Sequence, residues 1–263
     1  MATAESSPRS LAGRHALVTG ASRGIGAAIA RGLAAEGARV TLLGRDEAAL
    51  QAEVAAGSGE GFVTADVTDS QGLLSALSEA IAARGAIEIL VNNAGSASTA
   101  PFLKADPAVF QRMFEVHVLA AVHTSKFVLP GMLAAGFGRI VNVGSTASLK
   151  GARYIAAYAV AKHGLLGLTR TLALETAKTG VTVNAVCPGY TETDMVRGNL
   201  QKTMNKTGRL YDELLGEILA ENPLGRLVKP EEVAAAVVWL CGEGAASVTG
   251  QAIAIDGGET AGR

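Results

Sequence analysis

The sequence predicts an α/β fold: a doubly wound parallel sheet of about seven strands with helices on both faces. Three observations predict it. Short β-rich runs alternate with long Ala/Leu-rich helical stretches. Most of the β-rich runs are nearly continuous in apolar residues, as parallel strands covered on both faces require. No linker, repeat or low-complexity tract divides the 263 residues, so one domain, 1–263, is expected.

The elements follow in order. "HALVTG" (15–20) is the first strand, and "GAAIARGLAAEG" (26–37) the helix behind it. "RVTLLG" (39–44), "FVTADV" (62–67) and "IEILVNNAG" (87–95) are the next three strands. Asp106-Pro107 starts a helix, with a capping carboxylate ahead of a proline at the first helical position. "RIVNVGS" (139–145) precedes the long helical pattern "AAYAVAKHGLLGLTRTLALETAKTG" (156–180), and "VTVNAVCPG" (181–189) follows it. Pro230-Glu231-Glu232 opens another helix, with acids in its first turn. "AIAIDGG" (252–258) is the last strand. The alternation lapses over 190–229, too long for an ordinary connection, so this stretch is expected to be functional, a lid over substrate. Residues 1–10, "MATAESSPRS", are expected to be flexible.

Composition excludes several functions. Net charge is −1, from 23 basic and 24 acidic residues, and aromatics make up 4%, so neither a polyanion-binding surface nor base-stacking platforms are expected. Cys187 and Cys241 lack a C-x-x-C partner and the four histidines form no metal spacing with them, which points to two buried thiols in a reducing compartment and no metal. The N-terminus lacks the apolar core of a signal peptide, and the apolar run 233–241 is too short to span a bilayer. The expectation is a cytoplasmic protein.

Chemistry gathers at two places. "TGASRGIG" (19–26) turns from the first strand into the first helix. Gly20 permits the sharp turn, Gly24 and Gly26 permit close approach of backbone to a pyrophosphate and of helix to sheet, and Ser22, Arg23 and Ile25 share the loop. The helix N-terminus offers N–H donors to phosphate. A single-domain Rossmann fold with a dinucleotide in its first β-α-β unit follows. The second strand ends in "LLGRDE", with Gly44 where a carboxylate would bind a ribose diol, and Arg45 beyond it. Arg45 and Arg23 favour a 2′-phosphate, hence NADP(H); the alternative is a solvated Arg45 with Asp46 as the acid, hence NAD(H).

The second place is "YIAAYAVAKHG" (154–164). Tyr158 and Lys162, four apart on a helix, share one face, and no neighbouring carboxylate neutralises the lysine. An adjacent ammonium favours a phenolate, which a free phenol forms only near pH ~10. The other reading is an interfacial face with a snorkelling lysine. Tyr154, Tyr190 and Tyr211 serve as controls: their i+4 residues are Tyr158, Asp194 and Leu215, and only Tyr158 has a lysine.

Taken together, "TGASRGIG", "ADVTD" (65–69), "NNAG" (92–95), Ser145 in "NVGSTAS", "YAVAK" (158–162), "NAVCPGYTETDM" (184–195), "PLGRLVKPEEVA" and "VTGQAIAIDGG" resemble the short-chain dehydrogenase/reductase family over nearly the whole chain. The branch most similar is that of 3-oxoacyl-thioester reductases and aromatic-polyketide ketoreductases. The resemblance implies hydride transfer between a nicotinamide and a carbonyl or secondary alcohol. It implies Tyr158 as proton donor, Lys162 acting on Tyr158 and the cofactor ribose, and Ser145 steadying charge on the substrate oxygen. It also implies cofactor contacts at Asp66 and Val67 near the adenine, at Asn93 and Gly95, and at Pro188, Gly189, Thr191 and Thr193 around the carboxamide. The plainer reading of Asp66 is a helix cap, and the two roles can coexist.

One position departs from the family pattern. In "EVHVLAAV" His117 stands where the family has an asparagine thought to hold a water that relays protons to the lysine. A histidine could hold that water but titrates near neutrality, or it is a polar packing substitution. It alone favours a catalytically weak dinucleotide-binding protein over an enzyme. Finally, the resemblance implies a homotetramer through helices near 107–135 and 152–179 and the "AIAIDGG" region. Residues 195–210 carry Arg197, Lys202, Lys206 and Arg209 without an acid, either a dock for the phosphates of a CoA or acyl-carrier thioester or a solvated loop.

Overall fold

The computed structural model describes residues 10–261. The expected flexibility of 1–10 lies outside these residues except at Ser10, whose hydroxyl donates to Glu36 at 2.9 Å. The strands are β1 (His15–Thr19), β2 (Arg39–Gly44), β3 (Gly61–Thr64), β4 (Ile89–Asn92), β5 (Gly138–Val143), β6 (Val181–Pro188) and β7 (Ala252–Ile255). They form one seven-stranded sheet in the order β3-β2-β1-β4-β5-β6-β7, parallel throughout. The predicted Rossmann-like α/β fold is the observed one.

The helices are α1 (Gly24–Ala35), α2 (Glu47–Ala55), α3 (Ser70–Arg84), α4 (Pro107–Phe114), α5 (Ala120–Ala135), α6 (Ala156–Thr176), α7 (Asp194–Thr207), α8 (Tyr211–Glu221) and α9 (Pro230–Cys241). Their starts follow local chemistry. Asp46, Asp69 and Asp106 cap α2, α3 and α4, each carboxylate accepting a first-turn N–H. Pro107 and Pro230 occupy first-turn positions where no N–H is required.

The sheet is buried on both faces, and alternation along each strand divides its residues between two cores. Ala16, Val18, Ile89, Val91 and Val141 meet α1, α2 and α9 through Ile29, Leu33, Leu50, Val233 and Val237. Leu17, Leu90 and Ile140 meet α3, α5 and α6 through Leu73, Leu77, Val128, Met132 and Ala173. Burying each large aliphatic side chain contributes roughly 1.5–3 kcal/mol.

Two stretches differ from expectation. Residues 190–229 hold α7 and α8, so the lapse in alternation is a helical insertion. Thr193 caps α7, accepting from Val196 N, and Gly208 ends it in the left-handed region. Second, the helical run Pro107–Ala135 is, among the described residues, long and apolar enough to cross a bilayer by length and composition. Its α4 part packs on α6 and its α5 part on α3, β4 and β5. A π turn, Glu115–Leu119, joins the two parts and carries His117.

Candidate active site

Strand order reverses beside β1, and the carboxyl ends of β1 to β6 bring the expected residues to one edge. At Gly20 (φ +65°) a Cβ would lie 2.8 Å from Ala94 Cα, so this turn accepts only glycine. A Cβ on Gly26 would collide with the Gly20 carbonyl and the Asn93 amide, so Gly26 serves the tightness of the turn itself. Asn93 clamps the same turn from β4, its Nδ2 donating to Thr19 O at 2.9 Å and Gly20 O at 3.1 Å. The first turn of α1 carries no acid and Arg23 provides no side-chain cap. Ser22, Gly24 and Ile25 remain partly open around it, and Arg23 is exposed. Such a turn fits a phosphate, and these residues fit a dinucleotide.

At the tip of β2, Gly44 is buried and Arg45 projects, 76% exposed. Asp46 is committed to the start of α2, accepting from Ala49 N at 3.1 Å. Arg45 reaches Asp66 at 3.3 Å across solvent. Asp66 also accepts from Thr68 N and Oγ1 at 2.9 and 2.8 Å. The Thr68 N–H comes first among the contacts that hold its carboxyl below the usual range. Asp66 thus shapes a turn, and the cap of α3 belongs to Asp69. Val67 is buried beside Thr19 and Ala94.

The segment 188–193 closes over the glycine turn. Pro188 ends β6 against Ile255. Thr191 is buried and its hydroxyl donates to Gly189 O at 3.0 Å. A Cβ on Gly24 would lie 3.3 Å from Thr193 Cγ2, so the start of α7 sits directly over the start of α1.

Ser145, Tyr158 and Lys162 come together where β5 ends. Ser145 and Tyr158 keep partial exposure, while Lys162 is buried. Lys162 Nζ donates to Val143 O at 2.7 Å and lies 5.6 Å from the centre of the Tyr158 ring. Here the expectation of a lowered phenol pKa is corrected. Desolvation pushes Tyr158 up to about 12, with Ser145 opposing. The lysine turns to a carbonyl instead, and burial brings its own pKa down to about 8. Tyr158 is therefore a protonated phenol at neutral pH.

His117 requires a second correction. Burial first, then the charge of Lys162, lower its pKa to about 3, so it does not titrate near neutrality. Nε2 lies 2.7 Å from Ser96 O; a carbonyl only accepts, so Nε2 carries the proton. Nδ1 is buried without a partner among the described residues. The ring stands edge-on to Tyr158, centroids 5.3 Å apart. It fills the space a Cβ on Gly95 would need, 2.5 Å from Cε1. A cavity of about 10 Å³ lies among His117, Lys162, Asn92, Thr124 and Thr19, at the lower limit of what takes one water.

Behind these groups runs a buried polar chain that the sequence pattern did not reveal. Thr124 Oγ1 donates to Asn92 Oδ1 at 2.7 Å, Asn92 Nδ2 to Asn142 Oδ1 at 2.8 Å, and Asn142 Nδ2 to Thr169 Oγ1 at 2.9 Å. It ties α5, β4, β5 and α6 into one wall. Its only sequence signal was an asparagine at or next to the end of each of two mainly apolar strands. In the helical insertion, two of the four cations in 195–210 are already paired: Arg209 with Glu217 at 2.7 Å and Arg197 with Glu192 and Asp194 at 3.5 and 3.6 Å.

A glycine cradle at the crossover of a parallel sheet, beside a serine, a tyrosine and a lysine at one strand end, is the arrangement of an NAD(P)(H)-dependent oxidoreductase acting on a carbonyl or alcohol. A family model described as enoyl-(acyl carrier protein) reductase matches residues 20–260, and the chain belongs to that family, within the short-chain dehydrogenases/reductases. It is 40% identical, over 98% of its length and 97% of the relative, to a Streptomyces violaceoruber protein that bears the name of a granaticin polyketide synthase ketoacyl reductase. It is 39% identical to a D-beta-hydroxybutyrate dehydrogenase of Cupriavidus necator, covering 94% of this chain and 98% of the relative. A crystal structure of an actinorhodin polyketide ketoreductase variant with NADPH superposes with a TM-score of 0.90 at 37% identity, over 94% of this chain and 97% of that one.

Proposed function

We propose that the protein is an NADP(H)-linked ketoreductase that reduces a 3-oxoacyl thioester or polyketide-like ketone to the hydroxy compound. The observation that carries this reading is the meeting of Ser145 and Tyr158 at the open end of β5, beside the glycine cradle. A nicotinamide bound there supplies the hydride. Tyr158 gives its proton to the substrate oxygen as the carbonyl carbon is reduced, and the phenol is restored from solvent. Ser145 O–H donates to the same oxygen and steadies its developing charge. Lys162 contributes a buried charge near the phenol and a donor toward the cofactor ribose. Gly20, Ser22, Arg23, Gly24, Ile25 and Gly26 hold phosphates; Asp66, Val67, Asn93 and Gly95 line the adenosine side, and Pro188, Gly189, Thr191 and Thr193 the carboxamide. Two groups aimed at one oxygen suit a carbonyl better than a carbon–carbon double bond.

The cofactor preference rests on Arg23 and Arg45 and on Asp46, whose carboxylate is occupied at the cap of α2. Met195, Leu210 and Leu224 expose apolar surface in the 190–229 cover, which suits an acyl chain. A cytoplasmic homotetramer is part of the proposal. Val160 and Leu174 on α6 are 57% and 82% exposed, apolar surface that a partner copy would cover. Sedimentation equilibrium at micromolar concentration checks it, and a monomer overturns it. The hydroxybutyrate dehydrogenase relative favours a second reading, oxidation of a small 3-hydroxy acid.

One assay separates these readings: kcat/KM for acetoacetyl-CoA with NADPH and with NADH, beside 3-hydroxybutyrate with NADP and NAD. The proposal expects the thioester with NADPH to be best. A higher value for NADH, or for the hydroxy acid, overturns it. Gly44→Asp then reverses the cofactor order; its Cβ would lie 3.4 Å from Leu50, an ordinary contact, so the variant fits.

A further inference from the structure

The Ser145 hydroxyl is held by a device of its own. Ser145 has extended backbone and caps a one-turn helix, Thr146–Ser148. Its Oγ accepts from Ala147 N at 3.1 Å, and its own N–H donates to Ser148 Oγ at 3.2 Å. Each serine thus satisfies a donor of the other's turn. Ser148 is 2% exposed, too buried for water to replace its hydroxyl in this role. Gly144 makes the arrangement possible, since a Cβ there would lie 2.9 Å from both Ser148 Oγ and Cys187 Sγ. The preceding residue, Val143, gives its carbonyl to Lys162. A displacement of the Ser145 turn therefore acts on the oxygen-binding hydroxyl directly.

A free serine hydroxyl both donates and accepts, and rotates. With one lone pair filled by Ala147 N–H, the Ser145 proton is directed away from that donor. The hydroxyl then meets a substrate oxygen as a donor without reorganising, the condition under which such a group lowers a barrier. We infer that Ser148 is a positioning residue for the reaction: by accepting the Ser145 N–H it holds the turn that orients the Ser145 hydroxyl as a donor. This rests on the role proposed above for Ser145.

The test compares wild type with Ser148→Ala, Ser148→Gly and Ser148→Thr. The readouts are Tm, kcat, KM for ketone, NADPH affinity by fluorescence, and the kinetic isotope effect with 4-deuterated NADPH. Loss of the hydroxyl is expected to lower kcat about five- to thirtyfold in both Ala and Gly variants. KM and NADPH affinity should stay within about twofold, the isotope effect should rise, and Thr should restore kcat. If the Ala variant does not accumulate as folded protein, the Gly variant, which also lacks the hydroxyl, carries the comparison. A fall in Tm with kcat within twofold of wild type overturns the inference and leaves the role of Ser145 standing. No turnover by wild type with any ketone, or full turnover by Tyr158→Phe, overturns both.

Discussion

The two walls of the cleft are built from different forces. The rear wall, from α5 across β4 and β5 to α6, is joined by buried, neutral hydrogen bonds: Thr124 to Asn92, Asn92 to Asn142, Asn142 to Thr169. The cover, α7 and α8, is joined by exposed ion pairs of Arg209 with Glu217 and of Arg226 with Glu232 at the start of α9. Buried neutral bonds are expensive to break because a donor left alone keeps its full desolvation penalty. Exposed pairs are screened and contribute little. Chemistry that needs sub-ångström placement is served by the first wall, and the second is the more easily displaced of the two.

The sharpest break in the comparison is chemical. Tyr158→Phe keeps the ring against His117 and removes only the proton. Its kcat is expected to fall by about 10²–10⁴, the range for a positioned general acid, with NADPH affinity nearly unchanged. Retention of most of the wild-type rate would refute the proposed donor. Tyr158 at about 12 stays protonated across the working range, so it imposes no break near neutrality. Lys162, at about 8, does lose its proton there. Reduction should slow as pH rises through 8, and Lys162→Arg, which keeps its charge, should lose that break in whatever activity remains.

The structural break comes next. Asn142→Ala leaves Asn92 Nδ2 without its acceptor and Thr169 Oγ1 without its donor, inside a sheet with no room for bulk water. A cost of about 2–4 kcal/mol is expected in urea unfolding, from the stranded donor together with the small cavity. Arg226→Ala at the cover should shift the midpoint far less. Equal shifts would mean that the two walls are held alike.

What the sequence disclosed divides along the same line. Gly20, Gly24, Gly26, Asn93 and the Tyr158–Lys162 pair were legible because each signal sits within one turn or at one strand end. The buried chain was not, since Asn92 and Asn142 are fifty positions apart and meet only through the β4–β5 register. The state of Tyr158 and His117 differs from what spacing implies for a related reason. Spacing puts a charge beside a phenol, but desolvation depends on everything packed around it, and here desolvation is the larger effect. In 190–229 the helix signals are present but lie outside the β-α alternation: Thr193 and Asp194 mark a helix start, and Gly208 a stop.

A smaller effect sharpens the picture of the rear wall. Free histidine takes a proton near 6.5, whereas His117 does so only near 3. Between those values the unfolded chain binds the extra proton, so stability falls as pH drops through the window. From pH 7 to 5 this ring accounts for a loss of about 2 kcal/mol. His15, whose pKa is lowered mainly by burial, adds in the same direction. His117→Asn should lose correspondingly less stability over that interval in urea midpoints. An unchanged acid sensitivity would mean that the ring is not held neutral by its surroundings.

The smallest expected effect belongs to the cover. Of the four cations in 195–210, Arg197 and Arg209 already face carboxylates, and Lys202 and Lys206 form no ion pair among the described residues. If the cover recognises the phosphates of a thioester, the lysines are the groups with charge to offer. Remote binding of that kind positions the reacting centre. Lys202→Ala with Lys206→Ala should then raise KM for acetoacetyl-CoA about two- to fivefold, with little change for a ketone that carries no phosphate. Added salt should reproduce the selectivity, because exposed charges are screened within about 8–10 Å. Arg209→Ala tests the other possibility. Its loss releases Glu217 and loosens the join of α7 to α8, which should affect both substrates alike. Equal KM changes for the two substrates in the double lysine variant would reduce the cover to a solvated helix and place substrate selection in the apolar residues Met195, Leu210 and Leu224 instead.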